Sequence, residues 1–481
     1  MKGLVVGVLV LGLVSTLGGR ARGAPGAASA PAAPAAARPR PAATLDGAWL
    51  GTLHLGAMNL RLVLKIKRAA AGWTATVDSP DQHASDIPVE SVTFDGDTLT
   101  LALPKINGSY EGRLDGERLV GTFKQNGVTL PLVLEKTAKP PAITARPQEP
   151  KRPLPYEEVE VNVASSAPGV TLSCTLTEPR GKGPFGAVVL ATGSGPQNRD
   201  EALMGHRPFL VLSDAITRKG VAVLRCDDRG VGRSTGTFAR ATTFDFADDA
   251  LAEVAALRAR PEIDRAHVGL AGHSEGATIA AIAAARSKDV AFIVLLAGPA
   301  FTGDEVSNLQ RAWFERAAGE DGQAIAATKA KWDGAYAIIK AEPDDAVASK
   351  KLRVLYDALS ATDRAQLGGP AGFDALTKEL LSPWWRTWLV LDPRTFLAKV
   401  KVPALAINGE RDMQVEPRAN LPEIKKALAH SRDATVREMP GLNHLFQSAK
   451  TGSPTEYGEI DETMSPAVLN LVSDWMAHHA R

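Results

Sequence analysis

Serine flanked by glycine at the spacing Gly-x-Ser-x-Gly occurs twice in the chain, as Gly272-His273-Ser274-Glu275-Gly276 and as Gly232-Arg233-Ser234-Thr235-Gly236. The spacing has a physical meaning: a serine on a sharp strand-to-helix turn lifts its hydroxyl clear of a sheet, and only small neighbours fit such a turn. Context separates the two copies. Residues 267–271 (His-Val-Gly-Leu-Ala) read as a strand ahead of Ser274, and residues 277–285, rich in Ala and Ile, read as the helix behind it. Ser274 is therefore the candidate nucleophile. Ser234 follows the glycine-rich loop Asp227-Asp228-Arg229-Gly230-Val231-Gly232 with no strand directly before it, and reads as structural.

A serine hydroxyl attacks at neutral pH only with a general base beside it. On a strand-turn-helix scaffold the order along the chain is serine, acid, histidine. His430, His444, His478 and His479 follow Ser274 at a long interval. His444 lies in Pro440-Gly441-Leu442-Asn443-His444, a loop after the strand-like run 434–438, and loops at strand C-terminal ends gather ligand-facing groups in open α/β sheets. The preceding apolar run, 404–408, leads into Gly409-Glu410-Arg411-Asp412, with Glu416 beyond. Asp412 is the favoured acid, with Glu410 assigned to the turn. Acyl transfer also needs donors for the tetrahedral oxyanion. The expected pair is the backbone N–H of Glu275 and that of Ser194, in the exposed-backbone loop Thr192-Gly193-Ser194-Gly195-Pro196. Gly195, His206, Trp384, Trp385 and Trp388 are candidates for the pocket around them. The tryptophans read first as core packing between cap and sheet and second as an aromatic wall selecting apolar or aromatic acyl groups, while Arg199 and His206 read equally as pocket lining and as surface.

The elements that must position these residues fall in two blocks. From Val159 on, short apolar runs at 170–176, 187–191, 221–224, 268–271, 292–296 and 404–407 alternate with helical stretches such as 248–258 and 277–286. Runs without polar alternation suit strands covered on both faces, which predicts an α/β domain with a mostly parallel sheet over 156–481. Residues 300–398 interrupt it with four helical stretches (310–318, 324–340, 350–359, 373–381) and no strand between them, the pattern of a cap over a site. Ahead of this block, Leu60, Leu62, Leu64 and Ile66 alternate at period two, as do Leu99, Leu101, Leu103 and Leu130, Leu132, Leu134. Asp95-Gly96, Asp115-Gly116 and Asn126-Gly127 supply hairpin turns. Residues 44–136 thus read as a small antiparallel all-β module, barrel or sandwich, without chemistry of its own.

Residues 24–43 hold eleven Ala and five Pro and read as a semi-rigid linker; residues 137–155 hold six Pro and read as a second. Lys2 followed by the apolar run Leu4 to Leu17 resembles a signal peptide, with cleavage expected after Gly23. Export to the periplasm or medium is the expectation, without stable membrane insertion after cleavage. Lys and Arg total 55 against 54 Asp and Glu, a net charge of +1, so nothing electrostatic favours nucleic acid as a partner. The two cysteines, Cys174 and Cys226, are too few for a disulfide scaffold. Both sit in apolar runs and read as small free hydrophobes, with a single bridge left open. No His-Glu-x-x-His metal spacing and no nucleotide-binding fingerprint occurs, so no cofactor and no metal is implied. Oligomeric state is not encoded in any pattern of the chain.

In combination, the loop Thr192-Gly-Ser-Gly-Pro-Gln-Asn-Arg-Asp200, Asp227-Asp-Arg-Gly-Val-Gly-Arg-Ser234, Gly-His-Ser274-Glu-Gly, Asn408-Gly-Glu-Arg-Asp412 and Gly441-Leu-Asn-His444 resemble the α/β-hydrolase superfamily. The resemblance covers residues 156–481. It looks most like secreted bacterial carboxylesterases of the dienelactone-hydrolase and prolyl-oligopeptidase-like branch. It implies an α/β-hydrolase fold with a helical cap and cofactor-free hydrolysis of short acyl or aryl esters by Ser274, Asp412 and His444. Many relatives carry a second glycine where this chain has Ala277, a difference of one methyl at the helix start. A peptidase or acyl-thioesterase using the same residues, and a binding protein working through the β module, are the alternatives.

Overall fold

In the computed structural model, residues 45–481 are described apart from 56–57, 71, 81–83, 126–127 and 142–145. The expected leader (1–23), the first linker (24–43) and the Asn126-Gly127 turn lie outside the described residues. The chain divides into two units with the boundary near residue 144.

Alternating apolar side chains build the N-terminal unit. Its strands are β1 (Gly47–Leu55), β2 (Met58–Ala69), β3 (Gly72–Ser79), β4 (Ala84–Pro88), β5 (Ser91–Asp95), β6 (Thr98–Leu103), β7 (Gly108–Asp115), β8 (Arg118–Gln125) and β9 (Val128–Thr137). All pair antiparallel, in the order β4-β3-β2-β1-β9-β8-β7-β6-β5. The two ends of this order, β4 and β5, are joined only by Val89 and Glu90. Such a joint reaches about 10 Å at full extension, so the sheet must curl until its edges nearly meet. The joint itself bridges the seam: Val89 N–H donates to Ala75 O and Glu90 N–H to Ala102 O, at 3.2 and 2.9 Å. Of the two architectures the pattern allowed, the barrel-like one forms. Its inward residues, among them Leu62, Leu64, Ile66, Leu99, Leu101, Leu103, Leu132 and Leu134, close around the fully buried Trp49.

The C-terminal unit is built on an eight-stranded sheet: β10 (Tyr156–Ala164), β11 (Thr171–Pro179), β12 (Phe185–Ala191), β13 (Ala222–Cys226), β14 (Ile263–His273), β15 (Ile293–Leu296), β16 (Ala404–Gly409) and β17 (Ala434–Met439). The order is β10-β11-β13-β12-β14-β15-β16-β17, parallel from β13 onward. One face is covered by α2 (Thr243–Arg258), α3 (Glu275–Arg286) and α11 (Pro417–Ala427), the other by α1 (Pro208–Arg218) and α12 (Pro466–His479). This double cover explains the apolar runs. Between β15 and β16 come α4 (Gly303–Ala317), α5 (Gly322–Ala341), α6 (Asp345–Asp357), α7 (Ala361–Gln366), α8 (Gly369–Leu380), α9 (Pro383–Val390) and α10 (Arg394–Leu397). Helices α4, α5, α6, α8 and α9 share a core of their own around Trp332, Tyr336, Phe373 and Trp385. Two of these helices, α7 and α10, are too short to show a helical period in the sequence. Among the described residues no helix is long and apolar enough to cross a membrane.

The second half of the Pro-rich stretch is bonded to the C-terminal unit: the Arg146 guanidinium donates to Gly458 O and Ile460 O at 2.7 and 3.0 Å, and the Gln148 amide clasps Thr463 and Met464. One expectation needs correction: the cysteines are not free hydrophobes. Cys174 and Cys226 are register partners on β11 and β13 and form a disulfide. The sequence could not reveal this, because the pairing exists only once β13 takes its place beside β11 rather than beyond β12.

The bridge spans 52 residues of chain, so it removes much unfolded-state freedom. Replacing both cysteines by serine is expected to lower stability by about 2–4 kcal/mol. Urea unfolding of the two proteins, oxidised, checks this; equal midpoints would contradict it.

Candidate active site

The turn between β14 and α3 carries a backbone anomaly at the sheet's C-terminal edge. Ser274 sits at φ 54° and ψ −117°, a region L-residues rarely occupy. It is held there from both sides: Ser274 N–H donates to Leu296 O at 2.8 Å, and its carbonyl accepts from Ala277 N–H at 3.0 Å. The flanking glycines are a steric requirement. A Cβ on Gly272 would lie 1.9 Å from Gly276 O, and one on Gly276 would lie 2.1 Å from Ala191 O. The methyl of Ala277 finds its room opposite Gly298, where a Cβ would come within 2.6 Å of it. A smaller partner across the contact thus accommodates the residue that departs from the resembled pattern.

Asp412 and His444 come from the loops after β16 and β17. His444 Nδ1 lies 2.8 Å from Asp412 Oδ2, with both side chains buried. The other oxygen, Asp412 Oδ1, accepts from the N–H groups of Gln414 and Val415, both at 2.8 Å. With Nδ1 donating to Asp412, the basic lone pair of the imidazole is on Nε2. The loop bearing His444 is shaped by Asn443, whose Oδ1 accepts from Leu445 N–H and Gln447 N–H at 3.0 and 2.9 Å. Of the other acids weighed, Glu410 accepts from Gly441 N–H and braces that same loop, and Glu416 caps α11.

Two residues beneath this arrangement were not singled out from sequence. His273 Nε2 lies 3.0 Å from the His444 carbonyl, and its Nδ1 lies 3.0 Å from Glu201 Oε1. Both ring nitrogens face acceptors. Burial opposes a charge on His273, but Glu201 outweighs it and holds the imidazole above its ordinary pKa. Glu201 Oε1 also accepts from Gly193 N–H at 2.7 Å. One carboxylate thus ties the loop after β12 to the residue preceding Ser274. No local signal marks it, since Glu201 lies 72 residues from His273. The same loop runs against the serine: a Cβ on Gly193 would lie 3.3 Å from Ser274 Cβ. With Gly193 N–H engaged by Glu201, the next amides in the loop belong to Ser194 and Gly195. On the other side of Ser274, Glu275 begins α3, where a backbone N–H has no intrahelical partner.

The pocket candidates divide. Gly195 borders a cavity of about 30 Å³ behind the loop, together with Thr192, Asp228, Glu253 and Glu275. His206 does not reach the surface: it is wholly buried, with Nδ1 beside Thr463 Oγ1 and Nε2 beside Tyr457 O, both at 2.9 Å. Arg199 is bound by Asp227, Glu160, Ser173 and Thr175. Trp384 and Trp388 stack at 5.6 Å, and Trp385 meets Trp384 edge-on within the cap core. The Trp384 indole N–H donates to Glu275 Oε1 at 2.8 Å, so the cap is bonded to the residue after Ser274. In the second glycine-serine motif, Ser234 accepts from Ser173 N–H and donates to Asp227 O, at 2.8 and 2.7 Å, which fixes its loop.

A family model described as Serine aminopeptidase, S33 (Hydrolase_4) matches residues 208–332. The curated protein Esterase EstD of Thermotoga maritima is 27% identical over 328 residues, which is 67% of this chain and 68% of that protein. Among solved structures, the Pyrococcus furiosus esterase PF2001 aligns with 68% of this chain and 92% of its own, at 16% identity and TM-score 0.42. A dienelactone hydrolase from Anabaena variabilis aligns with 68% of this chain and 100% of its own, at 17% identity and TM-score 0.38.

The small cavity generates a pH prediction. Burial pushes the Glu253 carboxyl well above the usual carboxylate range, and Asp249 and Asp228 add to the effect. Arg229, the cation in this region, is committed to Asp249 at 2.7 Å. Because the folded pKa is raised, the native state keeps a proton that the unfolded chain gives up above pH ~4.3. Wild-type stability from this group is therefore complete below that pH and declines as pH rises towards the folded value, by about 1.4 kcal/mol per pH unit. Glu253→Gln does not titrate. Its thermal midpoint is expected to gain on wild type between pH 5 and pH 8; a pH-independent difference would refute the assignment.

Proposed function

We propose that this esterase-type α/β hydrolase cleaves short-chain acyl or aryl carboxylic esters through Ser274, His444 and Asp412, by way of an acyl-enzyme. The observation that carries the reading is the pairing of a serine on a strained strand-to-helix turn with a buried His444–Asp412 hydrogen bond of 2.8 Å at the same edge of the sheet. His444 Nε2 takes the Ser274 proton as Oγ attacks the ester carbonyl. The negative charge that develops on the carbonyl oxygen is received by the N–H groups of Glu275 and Ser194. The N-terminal end of α3 adds its favourable dipole. His444 then gives the proton to the departing alcohol. Water, deprotonated by the same imidazole, attacks the acyl-enzyme and releases the acid. Asp412 fixes the imidazole in the tautomer that leaves Nε2 basic and stabilises the imidazolium as it forms.

The family model's description favours one second reading, an aminopeptidase acting through the same residues. The two differ in the leaving group: an alkoxide departs with little help, whereas an amine must be protonated, and a free α-amino group on the substrate calls for an acceptor. Wild type, Ser274→Ala and Asp412→Asn are to be compared on p-nitrophenyl butyrate and on leucine p-nitroanilide at pH 8. The expected result is ester turnover by wild type, loss to near background in Ser274→Ala, and a fall of about 10³–10⁴-fold in kcat for Asp412→Asn. Turnover of the anilide alone would favour the peptidase; equal ester turnover by wild type and Ser274→Ala would remove Ser274 from the chemistry.

Export is proposed as part of the same reading, supported by the leader-like start of the chain and by the Cys174–Cys226 bridge, since disulfides persist in oxidising compartments. Protein recovered from the periplasm or medium of an expressing bacterium is expected to begin at Ala24; intact Met1 or retention in the cytoplasm would count against it.

A further inference from the structure

Glu201 and His273 stand outside the reaction just outlined, yet each is bonded to a segment that carries it out. Glu201 lies in the left-handed region, at φ 50°. A side chain other than Asn or Asp is uncommon there, so the backbone at 201 is held against its preference. Its N–H donates to Asn198 O at 2.8 Å, and its side chain is buried. Oε1 accepts from Gly193 N–H at 2.7 Å and lies 3.0 Å from His273 Nδ1, while His273 Nε2 lies 3.0 Å from the His444 carbonyl oxygen. A neutral imidazole has a single N–H. Its bare nitrogen would then set a lone pair against an oxygen in a buried place. Both contacts are met when the ring carries two protons and the carboxyl none. The His444 ring, 4.7 Å from that of His273 between centres, is itself paired with Asp412. Gly193 has little room to move: a Cβ on it would lie 3.1 Å from Glu201 Oε1 and 3.3 Å from Ser274 Cβ. Packing alone would be served by apolar side chains, since a buried ion pair is costly to desolvate.

We propose that Glu201 and a doubly protonated His273 act as one positioning unit, which holds the Gly193 turn and the His444 backbone in place around Ser274. The inference rests on the reading of Ser274 as nucleophile, His444 as base and the Ser194 amide as an oxyanion donor. By accepting from Gly193 N–H, Glu201 fixes the peptide plane between Thr192 and Gly193, one residue ahead of the Ser194 amide. By donating to the His444 carbonyl, His273 fixes the backbone of the residue whose Nε2 takes the proton. The two members depend on each other. Without Glu201 the ring has no counter-charge and keeps one proton, so it can no longer donate from both nitrogens. Without His273 the buried carboxylate loses its own counter-charge and its hold on the loop loosens. Both bonds act on groups whose placement counts most in the transition state, so their loss falls on kcat rather than on KM.

The test uses the full chain with Glu201→Gln, His273→Gln and the double variant. Nitrogen-15 labelling of histidine reads the protonation of His273 at pH 7, with His273→Gln or His273→Asn, whichever folds, identifying its signal. Both ring nitrogens are expected to carry a proton in wild type, and one in Glu201→Gln. A single N–H on the wild-type ring would overturn the proposal, even if Glu201→Gln fails to fold. For each protein, kcat and KM on p-nitrophenyl butyrate are measured beside the thermal midpoint and the affinity for a trifluoromethyl ketone, which forms a tetrahedral adduct with an activated serine. A whole oxyanion donor is worth about 10²–10³ in kcat, so each single variant, acting through the loops, is expected to lose about 10–100-fold, with KM within about threefold and a parallel loss of ketone affinity. The double variant is expected to lose no more than the worse single one, as members of one unit do. Losses that multiply in the double variant would separate the two residues and overturn the unit. Lowered thermal midpoints with unchanged kcat and ketone affinity would leave them a purely structural role. Wild type that neither turns over the ester nor binds the ketone removes the reading beneath the inference and the inference with it; an active wild type with unaffected variants removes the inference alone.

Discussion

A single backbone conformation governs the architecture of the C-terminal unit: Ser274 at φ 54° with a full side chain. A residue in such a region costs about 1–3 kcal/mol and persists only where its surroundings over-determine it. Here the surroundings are the hydrogen bonds from Ser274 N–H to Leu296 O and from Ala277 N–H to the Ser274 carbonyl, and the contact surfaces made by Gly272, Gly276 and Gly298. Removing a Cβ at each of these positions lets β14, α3 and the ends of β12 and β15 approach at distances that no other residue allows. The strain is therefore supported by the sheet and its flanking helix rather than by the turn itself.

Around that turn the buried polar groups form one connected set. Glu201 joins Gly193 to His273, and His273 holds the carbonyl of His444. His444 in turn is bonded through Nδ1 to Asp412, whose second oxygen is taken up by two backbone amides. The Glu201–His273, His273–His444 and His444–Asp412 links join segments at the ends of different strands. A network of this kind sets the positions of donors and acceptors before any substrate arrives, which is the condition under which electrostatic stabilisation of a developing charge is most effective. A separate hydrogen bond, from the Trp384 indole N–H to the Glu275 carboxyl, joins the helical insertion to the residue after Ser274.

The N-terminal unit solves a different problem with simpler means. Its strands alternate apolar and polar residues, and the two-residue joint between β4 and β5 forces the sheet to curl on itself. Gly112 and Gly121, opposite one another on β7 and β8, make the curl feasible, because a Cβ on Gly121 would lie 2.4 Å from Gly112 Cα. No cluster of reactive side chains comparable to that around Ser274 was legible in its sequence.

The positions of Ser274, Asp412 and His444 could be read from sequence because each sits in a short local pattern: a glycine-flanked turn between an apolar run and a helix, or a polar loop directly after an apolar run. The doubly covered sheet, the helical insertion and the alternating β module were legible for the same reason, as periodicities spanning a few residues. Tertiary structure alone decided what depends on which elements become neighbours. Cys174 meets Cys226 only because β13 lies beside β11. Glu201 serves His273 across 72 residues, and Trp384 reaches Glu275 across 109. His206, which sequence left between pocket and surface, is drawn inside by Thr463 and Tyr457. A local pattern records the conformation a segment prefers; the partner of a buried donor is chosen by the packing of distant segments, and nothing in either segment alone specifies it.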